Sequence, residues 1–538
     1  MKNGAQDDRT VRTTGLVQLE EPAVCCGNIG IDSTPAAATM ASVFPITSRL
    51  PGACRLAAGL VLASVCAVAI AAGQPHIVYL MPDDLGWQDL GYLGKEIRTP
   101  NIDRLAEGAT RLNQFYAQPY SSQTRAALLT GRYPFRYGLQ TQAILPRSTY
   151  GLPPEERTLA QALKEAGYRT ALVGKWQLGH ARPEFLPNRR GFDHFHGTLA
   201  GGVDHFTRSS DAGPDWRRND KPLRETGHTT ALIGREAAAV VSGHDPSKPL
   251  FLWVSFTAPA APLQAPKDLL ERNAHIRDPD RRTYAAMVSG VDDAIGQVVA
   301  ALEKKGMLDD TLIVFHSDNG GAVAHRFPTG DGDVARGAAD NGPYRDGQGS
   351  LYEGAVRIPA FIRWPRGLDA GVSSALIHVT DLYPTLLARA GGNLDQRKPL
   401  DGIDQWPAIR EGKLGARREV PIAVEDLRAA IRVGDWKLIL YAALPARVEL
   451  YDIPHDPGEE DNAAERNPQL VQDLTRRLTD LAWEMAPARH LEDLARMRRH
   501  DLPMVWGANP LRHGATADAD SRIDPSLTVE RADRPGKP

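Results

Sequence analysis

Two acidic pairs follow apolar runs in this chain. Asp83 and Asp84 come just after HIVYLM, and Asp318 and Asn319 come just after TLIVFHS. Three carboxylates and one amide oxygen, with no cysteine among them, form a hard oxygen donor set that suits Ca²⁺ or Mg²⁺ rather than zinc. A lone Asp-Asp or Asp-Asn-Gly ordinarily caps a turn, but two such pairs, each at the end of a strand-like run, point to a cation. A third stretch, YSSQTRAALLTGRYP over 120–134, has the look of a nucleophile site: the hydroxyls of Ser121 and Ser122 lie just before Arg125, and a helical pattern then begins. Lys175 closes a further apolar run, RTALVG.

These groups need a scaffold that brings them together. Short apolar runs that read as buried parallel strands recur at HIVYLM, RTALV, LFLWVSF, TLIVFH and IPAFIRW. Helical patterns separate them. TLAQALKEAG places Leu159, Ala162, Leu163 and Ala166 on one face and closes at Gly167, and YAAMVSGVDDAIGQVVAALEKKG repeats the scheme and closes at Gly306. The alternation predicts an α/β fold, a large mostly parallel sheet with helices on both faces. In such open sheets the carboxyl ends of the strands form the ligand crevice, so Asp83, Asp84, Lys175, Asp318 and Asn319 should converge. After about Gly412 the runs shorten (EVPIAVE, RAAIRVGDWKLILY, RVELYDI) and a helix follows through PQLVQDLTRRLTDLAWEM. This predicts a smaller C-terminal α+β subdomain with an antiparallel sheet. The expected divisions are 1–72, 75–411, 412–497 and a polar tail, poorly ordered, over 498–538.

The formal charge of −3 over 538 residues gives no reason to expect nucleic acid or a membrane surface as partner. Arg49 and Arg55 precede an alanine-rich apolar stretch over 56–72 with an Ala69-Ile70-Ala71 cleavage pattern, which reads as a signal peptide. Export to the periplasm or medium follows, without stable membrane insertion after cleavage. Met40 is a candidate start. All four cysteines, Cys25, Cys26, Cys54 and Cys66, lie before the first strand, so a mature chain would carry none. Oligomeric state is not legible.

Seven motifs in order, among them VYLMPDDLGWQDLGYLG, TRAALLTGRYP, LVGKWQLGH, IVFHSDNGG and GSLYEGAVRIPAFIRWP, resemble the sulfatase family. The variants GGVDHFTR and APLQAP resemble its branch containing arylsulfatase B. The resemblance spans roughly 75–485 and implies an alkaline-phosphatase-like fold and hydrolysis of sulfuric esters, on small molecules or glycans. It also implies one divalent cation, Ca²⁺ ahead of Mg²⁺, held by Asp83, Asp84, Asp318 and Asn319 together with Ser121. By the same resemblance Arg125 and Lys175 hold the substrate sulfate and serve catalysis.

Counting back from Arg125 puts Ser121 at the residue the family oxidises to formylglycine. Gln123 replaces the motif's proline, which argues against that modification. The residues for proton handling depart as well: Gln177 and Ala260 stand at two family histidines, and Gln348 stands at a family lysine. In the family mechanism such groups assist the leaving oxygen and later expel sulfate. An unoxidised Ser121 could form only a sulfate ester that cannot collapse to an aldehyde. His180, His316 and His325 could stand in, although the ordinary expectation for each is a hydrogen-bonded polar residue. Three functions fit: a weak or atypical sulfatase, a serine-nucleophile hydrolase of phosphate or phosphonate esters, and a pseudosulfatase that binds sulfated ligands without hydrolysis.

Overall fold

The computed structural model describes residues 74–325, 335–412 and 415–497. The apolar stretch over 56–72, the tail from 498 and the side chain of His325 lie outside the described residues.

The strand His76–Asp83 is buried along its whole length. It pairs in parallel with Leu250–Pro259 on one side and Thr311–His316 on the other. Such a strand has a core on both faces, which is why its sequence is continuously apolar instead of alternating. Ile77, Tyr79 and Met81 enter one hydrophobic cluster, and Val78 and Leu80 enter the other. The first cluster is completed by the helices Ser121–Thr130, Leu159–Glu165 and Leu382–Arg389, and the second by Pro100–Glu107, Thr229–Ser242 and Pro279–Lys304. Helices therefore cover both faces. The helix Pro279–Lys304 is the one helix among the described residues long and apolar enough to cross a membrane, but 78% of its apolar window is buried within the protein. It is a core helix, and it closes at Gly306, whose φ of 66° favours glycine.

The sheet has ten strands in the order Gly371–Ser373, Thr110–Leu112, Ala360–Arg363, Thr311–His316, His76–Asp83, Leu250–Pro259, Arg169–Lys175, His194–Thr198, Arg217–Arg218 and Lys221–Pro222. Its centre is parallel, as expected. One expectation needs correction: the IPAFIRW strand runs antiparallel to Thr311–His316, with Ala360 opposite His316 and Arg363 opposite Ile313. The chain re-enters the sheet at the end where Thr311–His316 leaves it, with no crossover back to the far edge. An apolar run buried on both faces looks the same in either direction.

Beyond Gly412 the strands Glu419–Val424, Arg428–Val433, Trp436–Tyr441 and Arg447–Asp452 form an antiparallel meander. The helix Pro468–Ala482 packs Leu474, Leu478 and Leu481 against it. Buried charges tie this sheet to the site. Lys437 Nζ lies 3.0 Å from Glu353 and 2.8 Å from Glu459, and Tyr116 donates to Glu353. Glu353 opens the short helix Glu353–Val356, so this network anchors the chain just after Gln348.

Candidate active site

At the end of its strand the chain turns sharply through Asp84, which sits at φ 62°. Asp and Asn tolerate this left-handed region better than most residues. The turn is stitched to the loop after Thr311–His316. Asp84 N–H donates to Asp318 Oδ1 at 3.1 Å, Leu85 N–H to Ser317 Oγ at 2.9 Å, and Ser317 Oγ to the Asn319 carbonyl at 2.7 Å. The structure thus brings Asp83, Asp84 and Asp318 together, with one oxygen of each within 4.8 Å of the others. All three are buried, as is Asn319, whose Nδ2 donates to Asp84 Oδ1 at 2.7 Å.

Ser121 is the first residue of the helix Ser121–Thr130, whose N-cap Tyr120 makes no side-chain cap. The first-turn N–H groups therefore keep their partial positive charge. Ser121 Oγ lies 3.3 Å from Asp83 Oδ1 and 3.2 Å from Asn319 Oδ1. Ser122 is occupied elsewhere: its Oγ donates to the Gln177 carbonyl and accepts from Ile144 N–H, each at 2.9 Å. Of the two hydroxyls only Ser121 faces the carboxylates.

Arg125, one helical turn on, is fully buried. It donates to Asp318 Oδ2 at 3.0 Å, to the Lys175 carbonyl at 3.2 Å and to Ser255 Oγ, and its guanidinium lies 5.8 Å from the Trp253 ring centre. Lys175 ends its strand two places along the sheet and reaches across Leu250–Pro259 to Asp83, 2.8 and 2.6 Å from its two oxygens. Burial raises Asp83 well above the ordinary carboxylate range, against the pull of Lys175. Burial and then Asp318 push Asp84 up to about 7. Asp318 is buried too, but Arg125 and Lys175 hold it below its ordinary value. Three carboxylates thus face two cations, and Asp84 makes no ion pair among the described residues. An all-oxygen set with a surplus negative charge fits a divalent cation of the Ca²⁺ or Mg²⁺ class.

The substituted residues sit around this cluster. Gln348 Nε2 donates to Asp84 Oδ1 at 2.6 Å. Gln177 is buried at φ 52°, with its Nε2 3.5 Å from the Ile144 carbonyl and no partner for its Oε1. Gln123 is buried and donates to the Gln140 carbonyl. The Ala260 carbonyl accepts from His205 Nε2 at 3.1 Å. Of the expected stand-ins, His180 is bonded to the Pro146 carbonyl at 2.9 Å, and His316 is held between Tyr79 and the Ser317 carbonyl. Both are committed to structure. Sequence reasoning missed Ser255 on Arg125, Gln348 as a partner of Asp84, and His205 beside Ala260; the last was visible only as the histidine of GGVDHFTR.

The sulfatase family profile matches residues 75–392, and that of the C-terminal region of N-sulphoglucosamine sulphohydrolase matches residues 347–484. The chain is 33% identical over 490 residues to arylsulfatase J of Mus musculus, covering 81% of this chain and 80% of that protein. It is 35% identical to N-acetylgalactosamine-6-sulfatase of Homo sapiens, with 63% and 66% covered, and 32% identical to arylsulfatase A of Homo sapiens, with 77% and 89% covered. Among solved structures it is similar to Ps i-CgsB in complex with k-i-k-neocarrahexaose, at TM-score 0.69 and 32% identity, covering 77% of this chain and 94% of that one.

Proposed function

The chain belongs to the sulfatase family, and from that premise we propose that it is an exported sulfuric-ester hydrolase of the arylsulfatase type with weak turnover, acting on sulfated glycans or small sulfate esters. The observation that carries this reading is the placement of Ser121 Oγ at 3.3 and 3.2 Å from Asp83 and Asn319, beside the buried cations Arg125 and Lys175. Asp83, Asp84, Asp318 and Asn319, with Ser121, would hold the cation, Ca²⁺ ahead of Mg²⁺. When bound it supplies positive charge where a sulfate oxygen must sit. Arg125 and Lys175 neutralise the remaining sulfate charge, and Trp253 and the strands around Arg125 exclude water from its guanidinium. The N-terminal turn of Ser121–Thr130 adds its N–H dipoles. Ser121 is the group that meets sulfur.

Weak turnover follows from the residues that would move protons. Gln177, Ala260 and Gln348 cannot protonate a leaving oxygen, and such general acid catalysis is typically worth about 10² to 10⁴ in rate. Groups that hold charge act on bound substrate as well as on the transition state, so binding of sulfated ligands outlasts catalysis. Those same three residues favour a second reading, binding without hydrolysis. The buried Gln123 in place of proline favours a third, in which Ser121 acts unmodified on phosphate or phosphonate esters. The likeness to N-acetylgalactosamine-6-sulfatase and to a solved protein in complex with k-i-k-neocarrahexaose supports glycans as substrates, and Arg49, Arg55 and the stretch over 56–72 support export. We also assign residues 75–411 to the catalytic-type domain and 412–497 to the C-terminal subdomain.

Mass spectrometry of the peptide carrying Ser121, from protein made in its native host, separates these readings when paired with an aryl sulfate assay. Loss of two hydrogens with turnover supports a matured sulfatase. An unmodified serine with turnover of aryl phosphate and not of aryl sulfate supports the third reading. No turnover of either ester contradicts hydrolysis.

A further inference from the structure

The far end of the sheet carries a second candidate site. Ala360–Arg363 runs antiparallel to Thr311–His316 with Arg363 opposite Ile313, so Trp364 lies toward the start of Thr311–His316, whereas Asp318 follows its end. About 20 Å of strand separates the two places, at roughly 3.3 Å per residue. Here a cleft of about 650 Å³ is lined by Trp364, Arg366, Asp369, Arg389, Trp406 and Arg410, among others. That volume is in the range of small-molecule and sugar sites.

The lining places three guanidiniums against one carboxylate, Asp369, in a chain whose net formal charge is −3. Two of the guanidiniums are oriented from behind: Arg366 by Asp310, and Arg389 by Asp404 at 3.3 Å. Arg389 also lies over the Trp406 ring at 5.3 Å, and Trp364 packs on Trp406 with ring centres 5.6 Å apart. Arg410 is exposed and makes no ion pair among the described residues. A planar guanidinium fork matches the oxygens of a sulfate, and the half-buried Trp364 indole offers an apolar face to a sugar ring.

We propose that this cleft is a non-catalytic binding site for a sulfated oligosaccharide, which docks a stretch of polymer remote from Ser121. The ligand class rests on the glycan reading above. The cleft and its three arginines do not. No bond is made or broken here; Arg366, Arg389 and Arg410 donate to the sulfate oxygens and Trp364 packs on one sugar.

The test is isothermal titration of the full chain with a chondroitin 6-sulfate hexasaccharide, its desulfated counterpart and inorganic sulfate. The double variant Arg366→Glu/Arg410→Glu changes only exposed side chains, and its melting temperature checks its fold. The expected result is at least a tenfold loss of affinity, or loss of one of two sites, for the sulfated hexasaccharide, with turnover of a small aryl sulfate unchanged. If the hydrolase reading fails instead, wild type still binds the hexasaccharide and the double variant still loses it. Trp364→Ala, which removes the aromatic face, should weaken binding by a few fold, with its melting temperature checking its fold. Unchanged hexasaccharide binding in the double variant overturns the site. Equal binding of the desulfated sugar overturns the role of the arginines, and inorganic sulfate binding as tightly as the hexasaccharide overturns the saccharide class.

Discussion

Asp84→Asn should do two opposite things. Asp84 Oδ1 accepts from Asn319 at 2.7 Å and from Gln348 at 2.6 Å, and an asparagine keeps that oxygen and both bonds. It also tolerates φ 62°, so the backbone turn survives. What changes is the charge. In the absence of a cation, burial and Asp318 push Asp84 up to about 7. A carboxyl with a raised folded value binds protons that the unfolded chain has already released. Stability therefore falls as pH rises from about 4 through 7, and ionised Asp84 costs at most about 4 kcal/mol at pH 8. In chelator at pH 8 the variant should melt above wild type, and near pH 4 the two should coincide. Ca²⁺ reverses the order. Binding to the folded state alone adds about 2.7 kcal/mol at a hundredfold excess over Kd, which is about 2 °C for a chain of this size at about 2.1 cal/mol/K per residue. Wild type should gain that shift and Asp84→Asn less than a third of it, as read by differential scanning calorimetry with and without chelator. A variant less stable than wild type in chelator at pH 8, or one that responds equally to Ca²⁺, would refute the charge account of this cluster.

Gln123→Pro should fold, because the N–H of a third helical residue has no intrahelical acceptor and the loss is the bond to Gln140, about 1 kcal/mol; a thermal melt showing more than about 3 kcal/mol lost contradicts this. His76 and His205 are lowered to about 4 mainly by burial, then by His244 and His228 respectively. The unfolded chain protonates first, so stability should drop between pH 6.5 and 4 by up to about 1.4 kcal/mol per pH unit for each imidazole. A double variant His76→Gln/His205→Gln whose urea midpoint falls as much as that of wild type between pH 7 and 5 would count against it. Restoring Gln177→His, Ala260→His and Gln348→Lys together with Ser121→Cys and Gln123→Pro, in a host that makes formylglycine, should yield strong aryl sulfatase activity. Single reversions should yield almost none, because groups that act as a unit are not additive; one reversion that restores most of the rate would show that the loss lies elsewhere.

The carboxylate cluster was legible because the fold dictates it: residues at the carboxyl ends of neighbouring parallel strands must meet, and Asp83, Lys175 and Asp318 each follow a recognisable apolar run. Ser121 was separable from Ser122 by spacing to Arg125, and the hydrogen bonds of Ser122 to Gln177 and Ile144 agree with that choice. The direction of Ala360–Arg363 was not legible, since burial on both faces erases the sequence difference between parallel and antiparallel neighbours. Nor were the two-residue strands Arg217–Arg218 and Lys221–Pro222 that finish one side of the sheet, too short for any periodicity. Gln348 could be seen as a replaced lysine but not as a donor to Asp84, because that contact joins residues 264 positions apart. The cleft around Trp364 and Arg389 gave no local signal for the same reason: its parts come from a turn and two separate helices.

The most direct test of the hydrolase reading is aryl sulfate turnover by the purified chain and by Ser121→Ala, measured with Ca²⁺ present. The account predicts slow turnover in wild type and none in the variant, while both still bind sulfated ligand. Turnover that survives Ser121→Ala would contradict the assignment of Ser121 as the group that meets sulfur.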